Sequence, residues 1–301
     1  FNDSDFSLIN KSLFTEKIYS INWTDLPDGV YYYNVSIKDL TLLNATTNLR
    51  KITLDTTPPL ISYNLETTND FINISQDSIF VNVSVNESNF ANLTFYLFND
   101  SDLINKSVFF NDTRIINWTN LLQGVYYFNV SVYDYSGNKN STNTRKVTLD
   151  STTPHATLLT PLNDSYSNNS QQNLSVNLTD NIELKNSTLF IYNSTNNLIN
   201  TTSTDLDGTS AVVGIIYEFL YDGLFNWFYQ AFDIAGNYFE SLNNTIIIDT
   251  TTPLINYSSG TLVNGSVRST DEIFVNVSVL EIYEANITFS LFNESAIVNE
   301  N

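Results

Sequence analysis

Apolar and polar residues alternate with a period of two along most of this chain. In Ile79–Val85, Val81, Val83 and Val85 fall on one face, and Asn82, Ser84 and Asn86 on the other. In the run that follows Gly124, Tyr126, Phe128, Val130 and Val132 share one face, while Tyr127, Asn129, Ser131 and Tyr133 share the opposite one. Successive side chains of an extended strand point to opposite sides, so each run predicts a strand with one face in a core and one in solvent. The turn formers DG, SGN and TTPP punctuate the runs. About seven strands fit each stretch between the strongest breaks, and no stretch carries a helical period, which predicts an all-β, antiparallel sandwich.

The pattern repeats. PDGVYYYNVSIKD (27–39), LQGVYYFNVSVYDYSGN (122–138) and YDGLFNWFYQAFDIAGN (221–237) align so that Asp39, Asp134 and Asp233 coincide, at spacings of 95 and 99 residues. TLDTTPP (53–59), TLDSTTP (148–154) and IIDTTTP (247–253) form a second set. A third pair, IFVNVSVNESNFANLTFYLFND (79–100) and IFVNVSVLEIYEANITFSLFNE (273–294), is offset by 194, the sum of the first two spacings. Three anchors with one period define tandem repeats of about 95–99 residues.

Pro58-Pro59, Pro154 and Pro253 follow the last strand of each repeat, where proline ends a ladder and stiffens a short linker. The boundaries expected are therefore 1–58, the later part of a repeat; 59–153 and 154–252, two complete repeats; and 253–301, the early part of another. A half sandwich leaves a core face and strand edges open. Two arrangements would close them: continuation in a longer array, or head-to-tail self-association in which the last part of one copy completes the first part of the next. Phe1 and the lack of a leader-like or membrane-spanning apolar stretch fit a processed product or a segment of something longer.

Leu26-Pro-Asp-Gly-Val-Tyr31 and Leu121-Leu-Gln-Gly-Val-Tyr126 resemble the tyrosine-corner approach of immunoglobulin and fibronectin type III domains, in which a tyrosine hydroxyl ties a late strand to an upstream carbonyl. Phe225 stands at that place in the third repeat and has no hydroxyl to offer. No cysteine pair flanks Trp23, Trp118 or Trp227, which excludes antibody-type domains and leaves the tryptophans as packing residues. The chain is more similar to the Ig-like extender repeats of prokaryotic surface proteins, in which a strand ending in D-x-T-x-P hands over to the next domain. That resemblance implies tandem immunoglobulin-like sandwiches and an extracellular, cell-surface location.

Composition narrows the function. The net charge of −20 repels nucleic acid and anionic lipid, so neither is an expected partner. Cysteine is absent, which excludes disulfides, thiolate metal sites and a cysteine nucleophile. His155, the single histidine, follows Pro154 and reads as a solvated linker residue rather than part of a triad. Neither a glycine-rich phosphate loop nor a basic patch with aromatics is present. The chain is thus expected to have no catalytic residue and no dissociable organic cofactor.

The densest motif is the N-glycosylation acceptor Asn-Xaa-Ser/Thr. About 28 occur, where composition gives roughly ten by chance. They fall at Asn2, Asn10, Asn22, Asn34, Asn44, Asn73, Asn82, Asn86, Asn92, Asn99, Asn105, Asn111, Asn117 and Asn129 in the first half. Asn140, Asn163, Asn168, Asn173, Asn177, Asn186, Asn193, Asn200, Asn243, Asn256, Asn264, Asn276, Asn286 and Asn293 follow. In a strand, positions i and i+2 share a face, so an apolar middle residue enters the core while the asparagine and the hydroxyl point out. Asparagine is disfavoured in strands, and covalent N-glycans would account for its regular outward use. Alternation with generic polar residues is the competing account. Phe228 replaces the asparagine of Asn34 and Asn129 in the third repeat, where a bare side would allow packing.

Asp55, Asp150 and Asp249 lie at the repeat junctions, and Asp39, Asp134 and Asp233 close the preceding strand beside turns. Hard oxygen ligands there could hold Ca²⁺ and stiffen an array, as junction aspartates do in similar extender domains; capping of the local turn is the alternative. Together these features predict a structural part of a heavily N-glycosylated extracellular filament, stalk or surface layer. An adhesin's extender region and a carbohydrate-binding module using outward tyrosines are the alternatives. The Asn-, Ile-, Tyr- and Phe-rich composition without sulfur resembles archaeal surface glycoproteins.

Overall fold

The computed structural model describes residues 8–293 and the backbone of 297–300. The sequon at Asn2 lies outside the described residues. Strands and turns make up the described chain, with no helix. One compact unit takes in the chain up to Thr67 with Phe80–Ile116 and Tyr127–Arg145; the other takes in Thr68–Ile79, Asn117–Tyr126 and the chain from Lys146 onward.

The third repeat lies within the second unit and shows the plan in full. His155–Thr160, Gln171–Thr179 and Ser210–Glu218 form one antiparallel sheet in that order. The other sheet runs Ser165–Ser167, Asn244–Ile248, Gly223–Asp233, Leu184–Asn193, Leu198–Asp205, with Tyr238–Glu240 also paired to Gly223–Asp233. Ser165–Ser167 is the one parallel member, beside Asn244–Ile248. The inward positions of both sheets meet in one core, where Leu174, Val176, Leu178, Leu189, Ile191, Phe225, Trp227 and Tyr229 are fully buried. Alternation in Gly223–Asp233 is complete: Phe225, Trp227, Tyr229, Ala231 and Asp233 are buried, and the residues between them face outward.

The second repeat follows the same scheme, with matching pairs within each unit. In the first unit Leu60–Tyr63 pairs with Ile79–Asn86, and Phe90–Asn99 with Leu103–Phe109. In the second, Ile72–Ile74 runs parallel to Arg145–Leu149. Val81, Val83, Phe128, Val130 and Val132 are buried, as the alternation requires.

The tyrosine corner forms where its hydroxyl exists. Tyr31 Oη donates to the Pro27 carbonyl at 2.7 Å, and Tyr126 Oη to the Leu122 carbonyl at 2.8 Å. In the third repeat Phe225 packs instead between Phe219, with ring centroids 4.4 Å apart, and Tyr221, at 5.2 Å. There the buried Tyr229 hydroxyl spans the sandwich to the Leu174 carbonyl at 2.8 Å. Tyr126→Phe is expected to cost about 1 kcal/mol and Tyr229→Phe about 1–3 kcal/mol, because only the second breaks a hydrogen bond whose donor side chain is fully buried. Urea unfolding of the two variants measures the difference.

Trp118 and Trp227 are core residues, at 7% and 0% exposure, but Trp23 is 37% exposed and has a tilted contact with Tyr33, ring centroids 6.4 Å apart. The expectation of a core role fails for Trp23 because residues 8–58 contain no counterparts of the strands whose side chains cover the other two. His155 opens a strand rather than a linker. It is exposed and rests against Phe239, with ring centroids 5.3 Å apart.

Candidate functional site: the aspartate joint at Asp150

Each repeat hands over to the next through the D-x-T-x-P segment, and the residue before the late strand's glycine clamps it. Asp28 accepts from Thr56 N and Oγ1, both at 2.9 Å, and from Thr57 Oγ1 at 2.7 Å. Asp222 does the same for Thr250 N and Oγ1 and for Thr251 Oγ1. Gln123 replaces the aspartate in the middle repeat, with Nε2 donating to Ser151 Oγ and Thr152 Oγ1. Hydrogen bonds, from Thr57 first for Asp28 and from Thr251 first for Asp222, hold both carboxyls below the usual carboxylate range.

The six junction aspartates meet different fates. Asp39 caps its own turn, with Oδ1 accepting from Thr41 N, Thr41 Oγ1 and Leu43 N. These bonds, Thr41's hydroxyl foremost, hold its carboxyl below the ordinary value. Asp249 accepts from Thr251 N at 3.2 Å and caps its own linker. In the first unit Asp55 and Asp134 are tied by amides. Asn89 Nδ2 donates to Asp55 Oδ2 at 2.6 Å, and Asn138 Nδ2 donates both to Asp134 Oδ2 and to the Asp55 carbonyl, at 2.8 and 2.9 Å.

Asp150 and Asp233 come together in the second unit with a third carboxylate, Asp180. Ligand oxygens from the three lie within 4.8 Å of one another, the one such acidic trio among the described residues. Asp150 and Asp233 are fully buried. Local structure fixes each side chain. Asp233 ends a long strand, and the left-handed Gly236 (φ 89°) turns the chain so that Asn237 N donates to Asp233 Oδ1 at 2.9 Å and its amide to Oδ2 at 2.7 Å. The same amide reaches the Asp150 carbonyl at 2.9 Å. Asp180 follows Gln171–Thr179 and caps the next turn, Oδ2 accepting from Ile182 N and Glu183 N at 2.8 and 2.9 Å. Asp150 Oδ1 accepts from Thr152 N at 3.2 Å and more weakly from Asn181 Nδ2 at 3.4 Å.

Two oxygens are left over. Asp150 Oδ2 and Asp180 Oδ1 are buried without any hydrogen-bond donor. Burial first, and then the charges of Asp180 and Asp233, push the Asp150 carboxyl above its ordinary value. Buried carboxylates that repel one another and keep free lone pairs could hold a cation. Oxygens that each lie about 2.4 Å from one ion are at most about 4.8 Å apart, so the spacing fits Ca²⁺.

Asp180 lies outside the set of recurring aspartates, because its counterpart in the preceding repeat, matched by the pairs Leu60–Asn86 and His155–Thr179, is Glu87 rather than an aspartate. Its signal is the acidic residue that directly follows the alternating strand in both complete repeats and caps the next turn, Glu87 on Asn89 N and Asp180 on Ile182 N.

No protein-family model matches the chain, and no characterised protein matches it by sequence. Solved structures do. The fibronectin(III)-like modules of Clostridium thermocellum CbhA match 63% of this chain and 93% of their own length, at 13% identity and a TM-score of 0.31. A tetra-tandem repeat from the extending region of a large adhesion protein matches 79% of this chain and 61% of its own length, at 19% identity and a TM-score of 0.41. The FN1-FN3 domains of chicken CNTN1 match 72% of this chain and 77% of their own, at 10% identity and a TM-score of 0.27. Internal geometry assigns the class: tandem immunoglobulin-like β-sandwich repeats, of which the third packs two sheets around one core. No helix among the described residues is long and apolar enough to cross a membrane.

Proposed function

We propose that this chain is a spacer: a run of repeats in an extracellular surface protein, coated with N-glycans and braced by Ca²⁺ at the Asp150 joint. The observation that carries the coat is where the sequons sit. Among the described residues no sequon asparagine is buried. Yet the middle residues Val83, Leu93, Trp118, Val130, Leu174 and Leu178 are all in the core. Each triplet thus presents its acceptor to solvent while anchoring the strand beneath it.

A low-charge surface of asparagine, serine and threonine gains hydration, protected edges and protease resistance from sugars. A stalk or extender needs such durability and no catalytic machinery. An archaeal cell surface is the setting that the composition suggests. Glycopeptide mass spectrometry of the native protein tests the coat. Occupancy at Asn82, Asn92, Asn117 and Asn129 is expected, and bare asparagines at all four would sink it. Electron cryomicroscopy separates the forms of spacer: a continuous fibre of stacked copies means a filament subunit, and a thin stalk ending in a distinct tip means an adhesin.

A further inference from the structure

We propose that the sugars on Asn173 and Asn177 lie across the exposed side chains of Val212 and Ile216, so that the chain's own glycans roof the edge strand Ser210–Glu218. This rests on the reading of the sequons as occupied and adds where two of the glycans go.

Ser210–Glu218 ends the three-stranded sheet and pairs on one side only, with Gln171–Thr179. Its register is unbroken over nine residues, and Ser210–Tyr217 carries no charge and no proline. Such an edge invites pairing with another chain unless something covers it. Its outer face is also apolar, with Val212 69% and Ile216 68% exposed.

The register supplies a cover. Asn173 lies directly opposite Ile216, and Asn177 directly opposite Val212, with Ser175 opposite Gly214 between them. The alternate residues Leu174, Val176, Leu178 and Val213 are buried, so both sequon asparagines share the outer face with the two aliphatic side chains. Directly opposed Cβ atoms are about 5 Å apart, within reach of a sugar ring on the amide.

Gly214 completes the arrangement. A glycine inside a strand weakens it and marks a close approach. A Cβ at 214 would fall 2.6 Å from Asn173 Oδ1 and 3.2 Å from its Nδ2. The acceptor amide therefore lies over the glycine, between the two aliphatic residues. The strand cannot carry sugars of its own, since no sequon occurs between Asn200 and Asn243. In the first unit the sequon residue Asn86 likewise faces Leu60, which is 64% exposed.

The chemistry is that of a pyranose. On glycosylation Nδ2 loses one proton and bonds the anomeric carbon of a lipid-diphosphate-linked oligosaccharide, whose diphosphate departs. The remaining N–H still donates. Pyranose hydroxyls lie on the rim and C–H groups on the faces, so one face can cover aliphatic carbon while the rim stays hydrated.

The test uses the full chain from its native host. Mass spectrometry first establishes occupancy at Asn173 and Asn177; if both are bare, the sequon reading fails there and the proposal falls with it. With both occupied, amide hydrogen exchange over 210–218 is compared with that of Asn173→Gln/Asn177→Gln. Several-fold faster exchange in the glutamine variant is expected. The glycosylated Val212→Ser/Ile216→Ser variant should show the same loss of protection with its sugars intact. Equal exchange with and without sugars at occupied sites would overturn the proposal. So would a glycosylated dimer that Ile216→Lys dissociates, since a second copy would then be the cover.

Discussion

Calcium at about 10 mM is expected to raise the melting temperature of the chain by about 6–20 °C, and Asp150→Asn to abolish that rise while making the calcium-free protein more stable than its parent. Extracellular calcium modules bind with dissociation constants of about 10⁻⁴–10⁻³ M, so this concentration contributes about 1.4–2.7 kcal/mol to the folded state. For a domain near 100 residues each kcal/mol moves the midpoint by about 4–8 °C. The variant's opposite effect follows from the geometry. Without a cation, Asp150 is a fully buried carboxylate with one unpartnered oxygen, pushed up by burial and by Asp180 and Asp233. An amide of the same shape removes that charge and with it the ion's ligand. Scanning calorimetry of both proteins in chelator and in calcium reads out the crossover. Parallel curves with no calcium response would leave the trio as a strained turn and end the idea.

The pH dependence carries a definite sign. Asp150 has a raised folded-state pKa, so between its ordinary value and the raised one the folded chain holds more protons than the unfolded chain. In chelator its contribution therefore becomes less favourable as pH rises through that window. In calcium the trend reverses, because deprotonation creates the ligand. Asp28 and Asp222 are held low by their threonines, so they support the folded state above the unfolded pKa and lose that support as pH falls through the folded one. Melting curves from pH 3 to 8, with and without calcium, separate the two groups.

The fold was legible because alternation, turn residues and repeat spacing all point one way. Val81, Val83, Phe128 and Val130 are buried as their period-two pattern demands. The site was less legible. Asp150 and Asp233 stood out because they recur, but recurrence also marked Asp39 and Asp249, which cap their own turns. Whether a junction aspartate meets others depends on neighbouring residues whose type changes from repeat to repeat, as Glu87 to Asp180 and Asn89 to Ile182. At the first joint Asn89 donates to Asp55, whereas at the second Asp180 adds a carboxylate beside Asp150 and Asp233. Cross-strand register was likewise out of reach of a linear pattern, so the meeting of Asn173 with Ile216 emerged only from strand pairing.

Trp227→Ala is expected to cost about 3–5 kcal/mol, the largest effect of any substitution argued for this chain, and to unfold the third repeat as a unit. Trp227 is fully buried in the middle of the core and meets Tyr229 edge-on, with ring centroids 6.3 Å apart. Its removal opens a cavity bounded by two rigid sheets that cannot collapse far. Tyr229 would lose its packing partner, and with it the support for the hydroxyl that bonds the Leu174 carbonyl across the sandwich. Trp227→Phe should fall within about 1 kcal/mol of neutral, because the buried Nε1 has no acceptor and its removal offsets the lost volume. Trp23→Ala, at a residue 37% exposed, should cost less than about 1 kcal/mol. Tryptophan fluorescence during urea unfolding measures all three. A chain that bears load repeat by repeat is only as strong as its weakest core. A Trp227→Ala cost no larger than that of Trp23→Ala would mean that this sandwich is not packed as its alternation implies.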